Sequence, residues 1–111
     1  MRDHTPDQPD RNPSRRTMRR RLSDLRDRAF DLAHETDETA ALWCVVWLHR
    51  AAAVPFVVYS DPERARWPFD RAAEYASDVA RHAEPFSSQR GDWLRLLDDV
   101  CRLREDLGVA S

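Results

Sequence analysis

The chain has 111 residues, 34% of them charged, and a formal net charge of -2, enough for one small domain and little beyond it. Near-neutrality with both signs mixed excludes a strong overall pull toward nucleic acid or anionic lipid. All 18 strongly basic residues are Arg in an Ala-rich, Asp-heavy chain, the usage of a GC-rich genome, so a single Arg here is no sign of a selected bidentate ligand.

Residues 1–13, MRDHTPDQPDRNP, carry Pro6, Pro9 and Pro13 and no apolar cluster. Such a segment cannot bury enough surface to offset its ordering entropy and is expected to be a disordered tail. It contains no apolar h-region of a secretory signal, so the default location is cytoplasmic. The remainder, 14–111, is expected to form one helical bundle domain.

The first helix is expected from Ser14 to His34, with Asn12–Pro13 or Ser14 as its start signal. Met18, Leu22, Leu25, Ala29 and Leu32 recur at three- and four-residue steps and line one face. Phe30 falls outside that stripe. Thr36, followed by Asp37 and Glu38, reads as the N-cap of a second helix running to about Val54, with Pro55 ending it. Val57, Val58 and Tyr59 favour extended structure but have no obvious strand to pair with. Ser60 or Asp61 caps a short helical turn. Pro68 then separates it from a third helix, Pro68 to Glu84. Phe69, Ala72, Ala73, Ala76, Val79, Ala80 and Ala83 are its core stripe, and Pro85 stops it.

The fourth helix opens at Ser87 or Ser88 and ends at Leu107, with Gly108 as a left-handed C-cap. Trp93, Leu96, Leu97, Val100, Cys101, Leu103 and Leu107 face inward. Arg95–Asp99, Asp98–Arg102 and Arg102–Asp106 are spaced to pair within the helix, as Arg20–Asp24 and Asp24–Arg28 are in the first. The fold class is therefore all-α: a small four-helix bundle with a disordered N-terminal tail, neighbours antiparallel. The alanine stripe allows close approach, and Trp43, Trp47 and Trp93 fill the volume. Cys44 and Cys101 both lie in apolar helical patterns and are expected as buried free thiols, with a disulfide or metal pair as the alternative.

The stretch from Ala41 to Ser60 is nearly all apolar and as long as a membrane span. His49, Arg50 and Pro55 interrupt it and charged helices flank it, so no membrane crossing is expected. A bundle helix needs one buried stripe, whereas the second helix is apolar on nearly every side. Trp43, Cys44, Trp47, Ala51 and Val54 share one side; Val45, Val46, Leu48 and Ala52 cover much of the rest. Either this helix is central, or another chain covers one face. Val45 or Leu48 to Asp is the substitution this reading singles out to separate the two. The partner-binding residues are then Trp43, Trp47 and Arg50, of the types enriched at interface anchors. Arg50 either stacks on an indole or snorkels to the surface, and snorkelling is the commoner fate. Arg104, on the apolar side of the fourth helix, either pairs with an acid on another helix or marks where that helix leaves the core.

The function these features favour is a non-enzymatic protein-binding or dimerising module, a small regulator, adaptor or inhibitor. Its partner is a second copy or another protein. The alternative is a nucleic-acid-binding regulator using RRTMRRR, with Arg15, Arg16, Arg19, Arg20 and Arg21 on phosphates. Against it, Asp24, Asp27 and Asp31 follow at once and no aromatic is interleaved for base stacking. Asp31/His34 and Asp78/His82 have metal-like spacing but project away from the apolar stripes, so no metal or cofactor is expected. Cys44 and His49 fall on different sides of one helix, and Gly91 and Gly108 are too few for a phosphate cradle. Tyr75, Asp78, His82 and Arg71 form a polar patch that reads as a solvated face or bundle seam.

Overall fold

The computed structural model describes residues 15–53 and 62–110, with side chains described over 16–52 and 66–106. The expected tail, the start signals at Asn12–Ser14 and Ser60–Asp61, the extended reading of Val57–Tyr59 and the inward face of Leu107 lie outside these. The described residues form four helices: α1 (Arg15–Ala33), α2 (Thr39–Ala53), α3 (Pro62–His82) and α4 (Ser88–Ala110). No strand occurs among the described residues.

Among the described residues each helix comes close in backbone to two neighbours in a ring, α1–α2–α3–α4 and back to α1, and to no diagonal partner. The direction of each pairing follows from its contacts. Arg21 binds Asp106 at 2.7 Å and Arg28 binds Asp99 at 2.6 Å, so α1 and α4 run antiparallel. Trp43 meets Tyr75 and Trp47 meets Trp67, which sets α2 antiparallel to α3. The chain is a small all-α four-helix bundle.

The core follows the helical periodicity. Met18, Leu22, Leu25 and Ala29 of α1 are buried, as are Phe69, Ala72, Ala73, Ala76, Val79 and Ala80 of α3 and Trp93, Leu96, Val100 and Leu103 of α4. Trp93 is the largest fully buried side chain, and the buried alanines of α1 and α3 share the core with it. Its size compensates for the volume those alanines leave empty.

Several element boundaries differ from expectation. α2 starts at Thr39 rather than just after Thr36. The Thr36 hydroxyl accepts the Glu38 amide at 3.2 Å, closing a turn ahead of the helix instead of capping it. α3 is continuous through Pro68 and is not split there. Pro68 lacks the amide that would bond to Arg64, a loss of about 3 kcal/mol in an open helix interior. Trp67 against Trp47 and the fully buried Phe69 anchor the chain on either side of it. α4 passes through Gly108 to Ala110, and no described glycine has positive φ, so Gly108 is not a left-handed cap. In the last turn a helical Gly gives up about 1 kcal/mol at most.

The α3–α4 turn brings the one left-handed residue among those described. The Ser87 amide donates to the Glu84 carbonyl at 3.1 Å, closing Glu84-Pro85-Phe86-Ser87 with Phe86 at φ 64. Proline second and positive φ third is the pattern of a type II turn, which ordinarily takes Gly in the third place. Ser87 then caps α4, its Oγ accepting the Arg90 amide at 3.1 Å.

Candidate interaction surface

The stripe of α2 that faces the core is Ala41, Cys44, Leu48 and Ala51, all buried. The opposite stripe is apolar as well. Leu42 is 59% exposed, Trp43 47% and Val46 40%, and Phe30 of α1 beside them is 52% exposed. Among the described residues α2 packs on α1 and α3 alone, so it does not sit at the centre of the four helices. The apolar residues left over from the core face outward.

Toward α1 this face ends in a groove of about 420 Å³ lined by Arg26, Asp27, Phe30, Val45, Val46, His49 and Arg50. Phe30 is held edge-on to His34, ring centres 4.5 Å apart, and the His34 Nδ1 lies 2.8 Å from the Phe30 carbonyl. Toward α3 the face ends in an aromatic seam. Trp43 stacks on Tyr75 at 6.3 Å, and Trp47 meets Trp67 edge-on at 4.8 Å. The Arg50 guanidinium lies 5.1 Å from the Trp47 ring and Arg71 lies 5.4 Å from Trp67. Arg50 therefore stacks on its indole, where snorkelling was the expected arrangement. Its exposed position one turn after Trp47 lets the guanidinium stay hydrated over the ring face.

Of the three expected contact residues, Trp43 and Arg50 sit on the exposed face and Trp47 is half-buried in the seam. Trp43 does not fill the core, contrary to expectation; its grouping with Cys44 on one side was too coarse. Leu48 belongs to the core and Val45 is half-buried, so neither is an outward residue. Leu42 was missed. The signal for it was present: His49 and Arg50 mark the outward direction of the helix, and Leu42 and Val46 lie on that same side.

The arginine run divides. Arg16, Arg19 and Arg20 are exposed, whereas Arg21 is half-buried and tied to Asp106, with its guanidinium also 3.8 Å from the Met18 sulfur. The Arg15 side chain lies outside the described ones. Arg28 reaches Asp99 on α4 rather than Asp24 beside it, and Arg95 pairs with Asp92 rather than Asp99. Asp106 is likewise taken by Arg21 and not by Arg102. Of the expected pairs within α4, Asp98–Arg102 forms at 3.1 Å. Arg104 donates to Asp70 of α3 at 2.7 Å. That hydrogen bond holds the guanidinium above its ordinary pKa.

Other chemistry does not converge. Cys44 is buried and free; burial pushes its thiol up to about 12, which removes the thiolate at neutral pH. His49 is exposed, so the two do not meet. Cys101 is half-buried and free. Asp78 is bound by Arg81, and the His82 Nδ1 lies 2.7 Å from the Asp78 carbonyl. Tyr75 and Arg71 belong to the aromatic seam, so the polar patch expected on this helix does not point to one centre. No cluster of three His, Cys, Asp or Glu able to hold a metal occurs among the described residues. No helix among them is long and apolar enough to cross a membrane. The chain matches no family model, no curated protein and no solved structure.

Proposed function

We propose that this chain is a non-enzymatic protein-interaction module, a small regulator, adaptor or inhibitor, which binds through the outward face of α2. One observation carries the reading: Leu42, Trp43 and Val46 are 40–59% exposed on a helix whose opposite stripe is fully committed to the core. Taking about 200 Å² for a large apolar side chain, these three with Phe30 expose about 400 Å², the size of patch that marks a contact site on small proteins. Trp43 and Arg50 supply rigid anchor types at the α3 edge. Leu42 and Val46 supply the apolar centre.

Arg16, Arg19 and Arg20 leave a smaller basic surface than the whole run suggests, because Arg21 is used within the bundle. Nucleic-acid binding is accordingly the lesser reading.

The test is a photo-crosslinking amino acid placed at Val46 in cells, with a second at Glu74 as the control. Crosslinks to protein from position 46 and not from 74 are expected. Equal labelling at both, or none at 46, would defeat the proposal.

A further inference from the structure

Resting on that reading, we propose that the occupant of the α2 face is a second copy of this chain, related by a two-fold axis that sets the two α2 helices antiparallel. The charge pattern of the face is self-complementary in this orientation alone. Its N-terminal end carries Glu38 and its C-terminal end carries Arg50, both exposed. Among the described residues Glu38 forms no ion pair, and Arg50 engages only the Trp47 ring. Glu38 immediately precedes α2, and eleven of the twelve residue steps from it to Arg50 lie along the helix, a rise of about 17 Å.

An axis level with position 44 brings Glu38 of each copy level with Arg50 of the other. The same register brings Leu42 of each copy level with Val46 of the other, at the mouth of the groove between α1 and α2. Apolar meets apolar and acid meets base in one arrangement. The two helix dipoles also oppose. A parallel pairing would set Glu38 against Glu38 and Arg50 against Arg50, which like-charge repulsion disfavours.

The area is consistent with a reversible dimer. A standard interface removes about 800 Å² from each partner. The apolar patch supplies about half of that, and the rim from Glu38 to Arg50 must supply the rest. The closed two-fold arrangement uses the same patch on both copies.

The experiment is absolute mass by light scattering at about 100 µM and low salt, the regime in which surface charge pairs act most strongly. Wild type is expected at twice 13.0 kDa. Glu38→Arg and Arg50→Glu are each expected to weaken association about tenfold or more, and the double variant to recover it to within about threefold. Circular dichroism on each variant verifies the fold, and Leu42→Asp, at the apolar centre, should give a monomer. Monomeric wild type, singles that associate as well as wild type, or a double that fails to recover would each overturn this arrangement. If wild type is monomeric while position 46 still crosslinks a different protein, self-pairing fails and the interaction-module reading stands. If both are negative, both fail.

Discussion

Leu48 and Val46 lie two residues apart on α2 and face opposite ways, so truncating each should have very different consequences. Leu48 is fully buried. Leu48→Ala removes three carbons at about 0.8 kcal/mol each, or about 2.4 kcal/mol of transfer free energy. The unfilled space left behind raises the loss to about 3 kcal/mol. A domain of this size has about 5–15 kcal/mol in all, so the variant should fold but with much of its margin gone. Val46 is 40% exposed. Val46→Ala gives up roughly 1 kcal/mol of burial and regains about half of that through the better helix propensity of Ala, leaving a loss of about 0.5 kcal/mol. Urea unfolding followed by circular dichroism measures both, at about 2 µM so that association does not contribute. With an m-value near 1.5 kcal/mol/M, Leu48→Ala should lower the midpoint by about 2 M and Val46→Ala by about 0.3 M. A loss below about 1 kcal/mol for Leu48→Ala, or equal losses for the two, would refute the assignment of inner and outer faces.

Three further outcomes follow from single residues. In native protein at pH 8, a thiol reagent should modify Cys101 and leave Cys44 untouched until the chain unfolds; the raised thiol of Cys44 also stabilises the fold fully below about 9 and loses that contribution as pH rises toward about 12. Alkaline titration of stability should therefore be steeper for wild type than for Cys44→Ala, and identical slopes would contradict the buried placement. Phe86 combines φ 64 with full exposure, so Phe86→Gly should raise stability by about 1 kcal/mol in thermal unfolding; a loss instead would mean the ring makes contacts that hold the turn. Arg104 and Asp70 are only partly shielded, at 32% and 46% side-chain exposure, so a double-mutant cycle with Arg104→Met and Asp70→Asn should give a coupling of about 0.5–1 kcal/mol. No measurable coupling would make that contact incidental.

The bundle was readable because its core obeys helical spacing closely. The stripes of α1 and α3 and the deep part of α4 come straight from apolar steps of three and four. Pro68 misled because a local rule forbids what the packing of Trp67 and Phe69 sustains. The ion pairs misled for a similar reason. Spacing within α4 suggested Arg95–Asp99 and Arg102–Asp106, but Asp99 and Asp106 are reached by Arg28 and Arg21 across the α1 seam, which no local pattern encodes. α2 was the hardest element: with apolar residues nearly all round, its periodicity does not say which face is inside. Cys44, Leu48 and Ala51 were resolved from Leu42 and Val46 only when the neighbours of α2 were in place. Its polar residues, His49 and Arg50, held the orientation that its apolar ones did not.

On the function proposed above, α2 serves the core with one face and another chain with the opposite face. Val46→Asp tests this most directly, with helicity, melting temperature and absolute mass measured on the variant and wild type together. The variant is expected to be as helical as wild type, to melt within roughly 8 °C of it, and to stay at 13.0 kDa where wild type is heavier. An unfolded variant would mean that this face is core after all, and a folded variant with unchanged mass would mean that the face is not where the chain associates.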